Sequence, residues 1–201
     1  MLVEGPSDLI YLQYFSNLLQ SKGREGLRDD VTIVPVGGLG NLATFVSLIG
    51  ANQLELVMVT DYAGAPDQRI EHLVREKIIQ KKQVLSYADF RGDSKRPASD
   101  VEDLFNPSTY LVLFNGAHKD ELAGSALKVG DLPARDRMVV RVADALQNNR
   151  LQVRPSGGFN HYRPADYLAS HPLSSSKQDA VTLDRFESLF QKVNSIYTDA
   201  E

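Results

Sequence analysis

Residues 54–61 read LELVMVTD, a run dominated by apolar residues that stops on Thr60-Asp61. Its length and composition predict a buried β-strand with an aspartate at its carboxyl end. Upstream, Leu2 and Val3 predict a short strand ending in Glu4. Gly5-Pro6-Ser7 is a turn with Ser7 as the expected N-cap. Leu9, Leu12, Phe15, Leu18 and Leu19 then recur at helical spacing, and the helix is expected to stop near Gly23. VTIVPV at 31–36 reads as a further strand, with Pro35 tolerable near its end. GGLGN at 37–41 leads into a helix through about Ile49. Downstream of Asp61, a polar helix is expected over 67–82, with Asp67 as its cap, and a short strand over 83–87.

Strand and helix thus alternate with short connections, the pattern of a mostly parallel α/β sheet. Glu4, Gly37 to Asn41 and Asp61 all follow strands, and open α/β sheets bind ligands at the carboxyl ends of their strands. Beyond residue 100 the pattern turns helical, with segments expected over 101–118, 134–149, 164–170 and 182–197. The chain divides into a first core part (1–105), a helical insertion (106–155) and a return to the core with a C-terminal helix (156–201).

The chain has 201 residues, a 42% hydrophobic share, a formal net charge of -4 and no cysteine. It is globular rather than disordered. Disulfides and thiolate metal sites are excluded. No apolar run reaches the roughly 18 residues of a membrane span, and a cytoplasmic location is expected. Bulk charge offers no broad basic surface for nucleic acid, but bound divalent cations would supply a positive field of their own.

Three groups of acids carry that possibility. Glu4 ends a strand and Asp8 opens a helix, so both carboxylates can serve one spot; the alternative is a solvated strand end and a dipole-favouring aspartate. Asp61 is either a ligand or a turn residue. SDVEDLF at 99–105 places Asp100, Glu102 and Asp103 together, either as a capping box of Asp100 with Asp103 or as a cation site. Gly38 and Gly40 would let backbone approach a phosphate, although GGLGN is not a Walker loop. In FNHYRPADYL at 159–168, His161 and Arg163 are candidates for contacting substrate, and Arg163 for steadying developing charge.

Together VEGPSD, VGGLGN, VTDYAG and SDVEDLF resemble the Toprim domain, a metal-binding fold shared by topoisomerases, primases and several nucleases. DVEDLF followed by HYRPADYL is similar to the overcoming lysogenization defect (OLD) family of nucleases. The resemblance implies DNA cleavage with two Mg²⁺ or Mn²⁺ ions, Ca²⁺ serving as a non-catalytic substitute. It implies Glu4, Asp8, Asp61, Asp100 and Glu102 as metal ligands, with Glu4, Asp61 and Arg163 catalytic. It further implies an N-terminal ATPase domain and a homodimer in the full-length protein, which suits a core strand starting at Met1. Ala63 stands where the family has the second acid of its DxD pair. That departure leaves an alternative, a catalytically weakened module that binds DNA or a partner. A Rossmann-like phosphatase would need an aspartate nucleophile where this chain has Glu4, and a topoisomerase a tyrosine in a further domain.

Overall fold

The computed structural model describes residues 1–41, 44–46, 48, 55–93 and 95–198. Part of the helix expected before Ile49, and Leu54 at the head of the third strand, lie outside these residues. The described strands are β1 (Leu2–Val3), β2 (Val34–Pro35), β3 (Met58–Thr60) and β4 (Val84–Ser86). They form one four-stranded, all-parallel sheet in the order β2-β1-β3-β4. The helices are α1 (Pro6–Ser21), α2 (Gln68–Arg75), α3 (Pro107–Ala117), α4 (Lys119–Leu122), α5 (Met138–Asn148), α6 (Tyr162–Ser170) and α7 (Ala180–Thr198).

Alternation along the strands sorts the core onto the two faces of the sheet. Leu2 and Met58 pack with Ile70, Leu73 and Ile79 beneath α2. Val3, Val57 and Val59 face the larger cluster, which runs through α1 into the helical half. There Tyr11, Leu12, Phe15 and Leu19 form the buried stripe of α1, and Phe15 stacks on Phe186 of α7 at 4.1 Å between ring centroids.

Several boundaries differ from the sequence reading. The N-cap of α1 is Gly5, not Ser7. Pro6 takes the first helical position, where its missing N–H costs nothing, and Asp8 accepts the Gly5 N–H at 2.9 Å. The C-terminus of α1 falls as expected, with Gly23 left-handed at φ 69. Asp67 caps α2 by accepting the Arg69 N–H, but α2 ends at Arg75, ahead of Lys77 at φ 57. The span 101–118 breaks into a 3-10 turn (Val101–Leu104) and α3, because Asn106 caps a new helix with Pro107 at its start.

Strand order places the site. Moving from β1, the chain crosses to β2 on one side and to β3 on the other. The reversal opens a crevice between the carboxyl ends of β1 and β3. Glu4 and Asp61 are the first residues past those ends.

Candidate metal centre

The crevice is closed by backbone. The Asp61 N–H donates to Glu4 Oε1 at 3.0 Å, tying one strand end to the other. Gly38 donates its N–H to the Glu4 carbonyl at 2.9 Å, so the glycine turn holds the opposite flank. Gly37 and Gly38 have φ of 73 and 98, a region that side chains disfavour. Gly40 has open space around it. Past β3, Tyr62 and Ser99 form an antiparallel bridge, N–H to carbonyl at 2.8 and 2.7 Å in the two directions. That bridge brings Asp61 beside Asp100 across 39 residues of sequence, which no local pattern announces.

The acids stand in two rows. Glu4, Asp61 and Asp100 line a cavity of about 1240 Å³ that extends over α2 and the end of β4. Asp8 and Glu102 lie behind them, 6% and 4% exposed. Asp8 accepts the Tyr87 hydroxyl at 2.5 Å as well as the Gly5 N–H. Burial still pushes its carboxyl up to about 6, against the pull of those donors. Burial raises Glu102 well above the usual range, with Asp100 adding repulsion. Glu4 is raised by burial, opposed by the Asp61 amide and reinforced by Asp8 and Asp100. Asp61 is raised furthest of the front row, by burial first and then by Asp100 and Glu4. Its carboxylate accepts no hydrogen bond among the described residues.

Asp103 does not belong to this set. Its oxygens accept the Asp100 N–H at 2.8 Å and the Met138 N–H at 2.7 Å, which is half of the expected capping box together with a cap for α5. Asp100 instead turns to Arg137, in a two-pronged pair at 2.8 and 2.5 Å. Arg137 is the residue before α5, so the Asp103 cap on Met138 is what positions it. Sequence reading missed Arg137 and Tyr87, each far from its partner in the chain.

Arg163 is engaged elsewhere. Its guanidinium pairs with Glu121 and donates to the Ala117 carbonyl at 2.6 Å, closing the end of α3. It does not line the cavity. His161 packs its ring 4.7 Å from Phe159 and lies within electrostatic reach of Asp100 and Arg137. Ala63 is exposed and lines the cavity.

Hard oxygen donors crowded with too few cations suit a hard divalent ion such as Mg²⁺. Of the three front-row acids only Asp100 is ion-paired among the described residues, to Arg137, although further cations line the cavity. Among the described residues no three acidic or histidine side chains already converge on one coordination point. The donor chemistry therefore fits divalent metal, and the acids are gathered at the crevice without being closed on an ion.

A parallel sheet that delivers carboxylates to its switch point is an arrangement that can hold a divalent ion against a phosphate. Residues 1–62 match the family described as overcoming lysogenization defect protein-like, TOPRIM domain. This stretch is a Toprim domain of the OLD type, a metal-binding, nucleic-acid-processing class. No curated protein and no solved structure matched the chain. No helix among the described residues is long and apolar enough to cross a membrane.

Proposed function

We propose that the chain is a metal-dependent nuclease domain that hydrolyses DNA phosphodiesters, the Glu4–Asp61–Asp100 front row being its metal centre. The observation that carries this reading is the concentration of under-compensated carboxylates at the Toprim switch point. Glu4, Asp61 and Asp100 would hold Mg²⁺ or Mn²⁺, with Asp8 and Glu102 completing the donor set from behind. Such ions supply Lewis acidity toward a phosphate oxygen and lower the pKa of water.

The chain's own groups do the rest. Glu4, held in place by the Asp61 amide, has a raised proton affinity that suits it to take the proton of the attacking water. The water oxygen bonds phosphorus, the P–O bond to the leaving strand breaks, and solvent returns a proton to that oxygen. Arg137 is the cation of this reading, because it already stands at the cavity wall while Arg163 is committed to Glu121 and the Ala117 carbonyl. A phosphate oxygen would share Arg137 with Asp100. Gly38 and Gly40 would bring backbone near the substrate, and His161 would contribute from the Asp100 side.

Ala63 supports a second reading, a weakened module that binds DNA without efficient cleavage, since the wall beside Asp61 lacks a carboxylate at that point. Plasmid cleavage in Mg²⁺ or Mn²⁺ separates the two. Glu4→Gln should slow cleavage by about 10²–10⁴-fold, the usual worth of a positioned base, and Asp61→Asn should reduce it comparably. Undiminished cleavage by either variant would overturn the proposal, and no cleavage by the unaltered chain would favour the binding module.

A further inference from the structure

Tyr62 follows Asp61 directly, and its two backbone bonds to Ser99 fix where its side chain begins. The ring joins neither apolar cluster of the core. It lines the cavity instead, half-buried, immediately beside the carboxylates. Arg96 lies over it, with the guanidinium carbon 4.4 Å from the ring centroid. Asp89 grips that guanidinium by its edge, Nε to Oδ1 at 2.8 Å and Nη2 to Oδ2 at 3.1 Å. A two-pronged carboxylate fixes the orientation of a guanidinium and leaves its faces for stacking.

Neither side chain belongs to the apolar core clusters of the described residues. Arg96 is exposed, yet it is held from two sides, which costs rotamer freedom without burying core. Lys81 and Arg75 stand on the same cavity wall and could follow a phosphate backbone. An aromatic ring, a stacked arginine and flanking cations make up the usual surface for unpaired bases.

We propose that Tyr62 and Arg96 form a stacking platform for an unpaired nucleobase of the strand whose phosphate lies at Glu4, Asp61 and Asp100. This rests on the nuclease reading and adds the form of nucleic acid that the cavity takes. A base inside a duplex offers no free face, so the platform selects a single strand or a frayed end. It acts on every base, because every base has a π-face, and it confers no sequence preference.

The test is fluorescence anisotropy of labelled oligothymidylate on the full chain in Ca²⁺, which lets binding be read without cleavage. Tyr62→Ala and Arg96→Ala should each weaken binding by about tenfold to hundredfold, the range found when a stacking residue is truncated. An abasic site walked along the oligonucleotide should weaken binding to the unaltered chain at one position, and that penalty should vanish in Tyr62→Ala. Thermal melts confirm that both variants fold. Unchanged binding by Tyr62→Ala, equal affinity for duplex and single strand, or no oligonucleotide binding by the unaltered chain would each overturn the platform. If the unaltered chain binds and cleaves while Tyr62→Ala binds equally, the platform fails and the nuclease reading stands. If binding depends on Tyr62 but nothing is cleaved in Mg²⁺ or Mn²⁺, the reverse holds.

Discussion

Carboxylates in the helical half and carboxylates at the sheet edge keep different company. Glu187 on α7 takes two bonds from Arg24 and one from the Glu25 amide. Arg24 holds its carboxyl below the usual range. Asp179, just ahead of α7, accepts the Thr109 hydroxyl together with the hydroxyl and amide of Thr182. Burial works to raise Asp179, but those donors outweigh it and the carboxyl ends up lowered. At the sheet edge burial acts in the same direction on Glu4, Asp61 and Glu102, without comparable donors, and all of them are raised. The comparison separates two uses of one residue type. Glu187 and Asp179, given donors, fasten the fold, whereas Glu4, Asp61 and Glu102 have few and on the proposed reading take a cation.

The largest effect that tests this division lies in the aromatic core. Phe186 is fully buried, stacked on Phe15 and edge-on to Phe105. Phe186→Ala should cost about 3–5 kcal/mol in urea unfolding. Cleavage per folded molecule should hardly change, because the ring touches none of the acids at the crevice. A large loss of specific activity in molecules shown to be folded would mean that the two regions are not separable.

The next test exchanges charge for amide in each region. Asp179→Asn keeps the shape but blunts the acceptor for three donors, and should lower stability by about 1–3 kcal/mol. Asp61→Asn replaces a carboxyl that burial beside Asp100 and Glu4 forces to take up a proton on folding, so at neutral pH without divalent metal it should leave stability equal or higher. Chemical unfolding of both variants in EDTA measures the pair. Two losses of similar size would break the comparison.

The sequence was legible next to the strand ends. The places of Glu4 and Asp61 past strands and of Asp8 at a helix start follow from local pattern, as does the Asp67 cap, whereas their ligand roles came from the family resemblance. The parallel sheet also follows from local pattern, because alternating apolar runs and turns force it. What could not be read is what long-range pairing decides. The Tyr62–Ser99 bridge joins Asp61 to Asp100, the Asp103 cap on α5 delivers Arg137, and Tyr87 reaches Asp8 from 79 residues away. In SDVEDLF the local pattern left a capping box and a cation site open, and only the resemblance set Asp100 and Glu102 apart from Asp103. A 3-10 turn sends one to an arginine, one into the interior and one to a helix cap, and no composition signal distinguishes them. Arg163 stood out for its neighbours in sequence, but Glu121 and the Ala117 carbonyl had the prior claim on it.

Among the described residues the helical half also holds buried polar atoms without partners, on Tyr110, Gln178 and His118, and the histidine gives the smallest and sharpest test. His118 is buried at the end of α3 against Phe114, and among the described residues neither ring nitrogen has a hydrogen-bond partner. Burial lowers its pKa from the ordinary 6.5, Arg163 lowers it further, and Glu121 opposes them. A base lowered in the folded state binds fewer protons there than in the unfolded chain. Its contribution is therefore fully present above about pH 6.5 and is lost as pH falls through the folded value. His118→Phe removes the orphaned nitrogens and the titration together. It should raise stability at neutral pH by up to about 1–3 kcal/mol and flatten the decline below pH 6.5. Unfolding of both chains in urea between about pH 5 and 7.5 reads the difference. An unaltered slope in the variant would place the acid sensitivity of the helical half in its paired carboxylates rather than in this histidine.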